Sequence, residues 1–177
     1  MENDIRRTEI TSDLKKAFGD GPFDVMIAGT FDLIHPGHIN YINEAAQYGR
    51  VTVIIARDSV VKQNKMRETV LDEDMRLVVV GALKGVENVV LGDEDPQKWY
   101  RPVLQYNPHL FLMGVNQPGD LTKFQKVIRD MGGRTIFKRS SCLVLEYSLK
   151  SSTMIRKRVV DVENESKSPS PKPCSYD

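Results

Sequence analysis

The chain has 177 residues, enough for one well-buried core and too few for two ordinary domains. Its 25 Lys and Arg against 24 Asp and Glu leave a formal charge of +1, which offers no broad electrostatic pull toward nucleic acid or an anionic membrane. No apolar run approaches a bilayer-spanning length and the polar opening carries no leader-like apolar stretch, so a soluble cytoplasmic protein with a small-molecule partner is expected. Cys142 and Cys174 stand far apart with no CxxC pattern, which argues against a disulfide framework or a zinc site.

Residues 1–20 are polar except for Ile5, Ile10, Leu14 and Phe18, a helical spacing that predicts an N-terminal extension ending at Gly19. From Phe23 the pattern changes to short apolar runs alternating with helical stretches. Strands are predicted over residues 23–28, 51–56, 88–91, 110–113 and 135–137, and helices over 38–48, 72–83, 96–106 with a kink at Pro102, and 121–131. Helices placed between strands predict right-handed crossovers. The fold class is therefore α/β, a single Rossmann-like domain over residues 21–160 with a five-stranded parallel sheet flanked by helices. A last helix is predicted over 152–160. The tail 161–177, with Ser-Pro-Ser-Pro-Lys-Pro and no apolar periodicity, is expected to be disordered.

In an open parallel sheet, ligands bind beyond the carboxyl ends of the strands. The first predicted strand runs into Gly29-Thr30-Phe31-Asp32-Leu33-Ile34-His35-Pro36-Gly37-His38. Gly29 permits a tight turn, so the amides of Gly29, Thr30 and Phe31 form a candidate anion nest. Pro36 and Gly37 suit the start of a helix, whose free amides and positive end would face the same anion. His35 and His38, three residues apart, lie on one side of that first turn. Two imidazoles aimed at one phosphate fit nucleotidyl transfer, where fixed donors stabilise charge spreading over the α-phosphate oxygens. Zinc ligation is disfavoured, because the third histidine, His109, precedes a different strand without a carboxylate pair.

These residues resemble the HxGH signature of the cytidylyltransferase-like family, within the superfamily that includes class I aminoacyl-tRNA synthetases. The turn Ser151-Ser152-Thr153-Met154-Ile155-Arg156 resembles the family's second signature, which implies donors for the β- and γ-phosphates; it reads equally as a helix cap. Ala56-Arg57-Asp58-Ser59, Leu91-Gly92-Asp93-Glu94 and Gly114-Val115-Asn116-Gln117 resemble archaeal-type FAD synthases more than glycerol-3-phosphate cytidylyltransferases. The fourth-strand loop, Met113, Gly114, Asn116 and Gln117, is implied to hold the nucleotide, although the family's usual ribose-binding aspartate is absent there.

Lys62 and Lys65 resemble the family's mobile basic residues for the acceptor phosphate and the triphosphate, with solvated loop lysines as the alternative. Arg76 resembles its phosphate-contacting arginine, and a surface ion pair with Asp72 or Glu73 explains it as well. Trp99 and Tyr100 are read as core aromatics.

The resemblance implies a nucleotidyltransferase that joins a nucleoside monophosphate to a phosphorylated acceptor and releases pyrophosphate, with Mg2+ accompanying the triphosphate. ATP and FMN are the first expected substrates, and CTP with glycerol 3-phosphate or another small phosphate ester the second. A non-catalytic nucleotide-binding regulator is the third reading, and a homodimer is an expectation from similar proteins.

Overall fold

The structure, a computed structural model, describes residues 2–141, 147–149 and 151–167; Cys142, Cys174 and the tail from 168 lie outside the described residues. Five parallel strands form one sheet in the order β3-β2-β1-β4-β5. They are β1 (Phe23–Gly29), β2 (Gly49–Ile55), β3 (Val86–Leu91), β4 (Leu110–Met113) and β5 (Ile136–Arg139). This is the single α/β domain the alternation predicted. The order reverses between β1 and β4, and that reversal opens a crevice at their carboxyl ends, where the Gly29–His38 segment and the loop after β4 meet.

The sheet is buried on both faces, as its near-continuous apolar strands require. Val25 and Ile27 of β1 pack with residues of α1 (Glu2–Phe18), α2 (Pro36–Ala46) and α4 (Glu73–Gly81), including Leu14, Ile42 and Val80. Met26, between them in sequence, points to the other face and packs with Val103 of α5 (Tyr100–Tyr106) and Ile128 of α6 (Leu121–Asp130). α1 is tied to the domain by Ile10 and Leu14, while Ile5 stays exposed. It ends at Gly19, whose φ of 82° is the left-handed conformation glycine adopts without a Cβ penalty.

Three elements differ from expectation. The 96–106 stretch is a 3-10 turn (Pro96–Lys98) followed by α5, not one kinked helix. Pro102 has no amide to give the Lys98 carbonyl, so it is accommodated in the first turn of a helix beginning at Tyr100. Residues 58–65 form α3 (Asp58–Lys65), which polar sequence concealed, since Val61 is its one buried residue. The final helix, α7 (Ser152–Lys167), passes the expected boundary at 160.

Candidate active site

The turn from β1 into α2 is shaped by two close contacts. Phe31 is buried with φ of 50°, a left-handed conformation costly for a bulky residue. Its ring lies over Gly29 so closely that a Cβ there would stand 2.7 Å from a ring carbon. Gly29 is therefore required by that ring, and the positive φ expected of the turn falls on Phe31. His35 caps α2 as its side chain Nδ1 accepts from the Gly37 amide at 3.1 Å, and Pro36 occupies the first turn. An accepting Nδ1 carries no proton, so the Nε2 of His35 is the N–H donor.

The His38 ring stacks on His35 with centroids 3.8 Å apart and lies 4.8 Å from the Phe31 ring. Burial drives the His38 pKa down to about 3, helped by His35 and Lys65, while the Asp32 carboxylate and the Leu33 carbonyl oppose the shift. Its Nδ1 is buried without a hydrogen-bond partner among the described residues. Burial also lowers the pKa of His35. Both rings are thus neutral at physiological pH, with no cationic charge of their own.

The pair faces a cavity of ≈ 510 Å3. Of the predicted site residues, the β1–α2 segment contributes Gly29, Thr30, Phe31, Asp32, His35, Gly37 and His38 to its lining. α3 contributes Lys65, the β4 loop Gly114, Asn116 and Gln117, and the start of α7 Ser151 and Ser152. Lys65 donates through Nζ to the Thr30 hydroxyl at 2.8 Å, and burial lowers its pKa. Ser151 caps α7 by accepting from the Met154 amide, and the Ser152 hydroxyl donates to the Leu33 carbonyl.

Four predicted residues stand apart from that lining. Met113 is buried beneath the β4 loop, and Thr153 is exposed on α7. Lys62 is exposed and pairs with Glu68 at 2.8 Å, outside the cavity that Lys65 lines. Arg76 is fully buried. Its guanidinium donates to the carbonyls of Leu71, Thr30 and Ala56 and to Asp58, so neither a phosphate contact nor a surface pair with Asp72 or Glu73 describes it. Leaving any of those buried carbonyls unpaired is costly, which holds the guanidinium in place.

Asp32 lines the cavity yet has its oxygens committed. Oδ1 accepts from the amides of Val70 and Leu71, and Oδ2 accepts from Arg156. Burial alone raises a carboxyl pKa, but Arg156 and the two amides outweigh it and hold Asp32 below the usual carboxylate range. Asp32 thereby fastens α7 and the 70–71 turn to the end of β1. Arg67 lies 3.6 Å from the same carboxylate and lines the cavity, with a buried Nη1 that makes no hydrogen bond among the described residues.

Residues 26–158 match the cytidylyltransferase-like family. The chain belongs to the cytidylyltransferase-like family. Among curated relatives, the FAD synthase of Archaeoglobus profundus is 37% identical over 143 residues, covering 78% of this chain and 86% of its own. The FAD synthase of Methanobrevibacter smithii is 41% identical over 112 residues, covering 61% of this chain and 72% of its own. A solved structure, the lipopolysaccharide core biosynthesis protein of Thermoplasma volcanium, matches with TM-score 0.65 and 31% identity, covering 70% of this chain and all of that one. This cytidylyltransferase-like chain is a nucleotidyltransferase. None of its helices among the described residues is long and apolar enough to cross a membrane.

Sequence reasoning missed three arginines around this cytidylyltransferase-like cavity. Arg67 sits two residues beyond Lys65 and is the second cation of that rim; the Lys-x-Arg spacing was its only signal. Arg156 closes the Ser-Ser-Thr turn and docks it on Asp32. Arg139, at the end of β5, donates to the carbonyls of Gly114, Gln117 and Gly119 and so holds the loop after β4 in shape. Gln117 braces that loop from within, accepting from the Gly114 amide and donating to the Ala28 carbonyl at 2.7 Å each. Its side-chain amide is occupied by backbone, which leaves Asn116 as the free amide group of the pair at the cavity wall.

Proposed function

We propose that the chain transfers AMP from ATP to FMN, forming FAD and pyrophosphate. The observation that carries the reading is the neutral His35–His38 pair at the start of α2, facing the same cavity as Lys65, Arg67 and the capped start of α7. The adenylyl donor and flavin acceptor rest on the curated relatives, several of them FAD synthases covered over more than two thirds of their length.

In this reading an FMN phosphate oxygen attacks the α-phosphorus in line, the bond to the bridging α–β oxygen breaks, and pyrophosphate leaves. A phosphate monoester is already anionic at neutral pH, so no general base is needed and rate comes from positioning and charge stabilisation. The Nε2 proton of His35 and the N–H of His38 donate to nonbridging oxygens where charge gathers in the transition state. Neutral donors suit this role because their bonds strengthen as charge develops. Lys65 and Arg67 neutralise the triphosphate, and the Ser151 hydroxyl with the free amides of α7 holds its far end. Asn116 faces the ribose or base. Mg2+ bound with the triphosphate would supply charge neutralisation there; Asp32, committed to Arg156 and two amides, would not hold it.

The test is pyrophosphate release with Mg2+, crossing ATP and CTP against FMN and glycerol 3-phosphate, with FAD identified by chromatography. Release with ATP and FMN that vanishes in His38→Ala supports the reading. Release confined to CTP and glycerol 3-phosphate overturns the substrates, and nucleotide binding without release in any combination overturns catalysis on these acceptors.

A further inference from the structure

A second cavity of ≈ 210 Å3 adjoins the first across Ala28 and Gly29, which line both. Its character is different. Ile54 at the end of β2, Val60 on α3, Trp99, Pro102 on α5 and Phe111 on β4 make its walls apolar, with Asn64 and Arg57 among the polar groups present. Trp99 is held by an aromatic cluster, 4.7 Å from the Phe124 ring and 6.2 Å from Phe137, yet it is only half-buried and its remaining surface faces the cavity. The reading of Trp99 as a core aromatic is therefore half of its role.

α3 divides the two cavities. Val60 and Asn64, one turn apart, line the apolar one, whereas Lys65 lines the phosphate cavity. A ligand with an apolar ring and a phosphate arm could thus lie across the end of β1, ring on one side and phosphate on the other. Glycerol phosphate gains little from these apolar side chains, and its hydroxyls would have only Arg57, Asn64, Asp93 and Asp95 as side-chain partners in the lining. A flat fused ring gains from the same surface through burial and stacking on the indole.

We infer that this second cavity binds the isoalloxazine ring of FMN, with Trp99 and Val60 in contact with the ring, and that it selects the acceptor. The inference rests on the FMN reading above and adds the place where the flavin sits.

The chain contains a single tryptophan, so its emission reports on Trp99 alone. Titration with FMN, and separately with riboflavin, which lacks the phosphate, is expected to quench that emission saturably, and glycerol 3-phosphate is expected to leave it unchanged. Saturating FMN that leaves the emission unchanged overturns the inference in the unmodified protein. Two cavity-filling variants, Val60→Phe and Ala56→Leu, are expected to raise the KM for FMN by about tenfold or more while the KM for ATP stays within about twofold. The unchanged ATP value also verifies folding. FAD formation with an unaltered KM for FMN in the folded variants sinks the ring site and leaves FAD synthesis standing. No FAD from the unmodified chain sinks the FMN reading itself.

Discussion

Arg76 and Arg67 belong to one stretch of chain and end in opposite surroundings. Arg76 is fully buried, and its donors close on three carbonyls and Asp58 behind the cavity. Arg67 stands at the cavity wall with an Nη1 that makes no hydrogen bond among the described residues. The same contrast holds between regions. At the back of the cavity, Asp32, Asp58, Arg76 and Arg156 form a lattice of paired charges, with the Arg156 Nε left without a partner among the described residues, that fixes the ends of β1 and β2 and the start of α7. In front of it, His35, His38, Lys65 and Arg67 keep polar capacity for a ligand. A site needs both, because donors lower a barrier only if their positions are set in advance.

The largest expected effect falls on the lattice. Arg76→Met removes the guanidinium donors of three carbonyls and the counter-charge of Asp58, which keeps only the Thr69 hydroxyl and the Glu73 amide, and should lower unfolding stability by about 3–5 kcal/mol, measured by chemical denaturation. A variant of full stability with weakened ATP binding would instead move Arg76 to the phosphates and erase the contrast.

His38→Ala comes next, with turnover reduced by roughly 100- to 1000-fold at similar KM for ATP, read in steady-state kinetics. A rise in KM with unchanged turnover would mean that the imidazole binds the ground and transition states equally.

Arg67→Gln should raise the KM for ATP by about tenfold with little change in denaturation midpoint, since its guanidinium is held mainly by a long contact to Asp32. Loss of stability comparable to that of Arg76→Met would place it in the lattice.

The smallest effect is a pH dependence. The His38 pKa falls from 6.5 unfolded to about 3 folded, so the unfolded chain binds the extra proton in that window and stability declines as pH drops below 6.5. Between pH 7.5 and 5 this contributes about 1 kcal/mol of loss after allowance for solvent, and His38→Gln should shrink it. An equal loss in the variant would assign the dependence to other groups.

The parallel sheet and the β1–α2 segment were legible because their signals are local. Alternating apolar runs mark strands, and Gly-Thr-Phe-Asp followed by His-Pro-Gly-His places a turn and a helix start in adjacent residues. α3 was not legible, because a helix with one buried residue has no periodic stripe. Lys62 and Lys65 look alike in sequence, and their separation into a surface pair and a cavity residue depends on which way a short helix faces.

The sequence by itself determined the α/β fold, the position of the histidine pair at a helix start and the family of the chemistry. Local propensity and short-range spacing suffice for those. Only the tertiary structure decided that both imidazoles are neutral, that Arg76 is buried among carbonyls while Arg67 lines the cavity, and that Gly29 yields to the Phe31 ring. Each of these depends on burial or on a contact between distant segments, and neither charge state nor hydrogen-bond partner is a property of a residue apart from its surroundings.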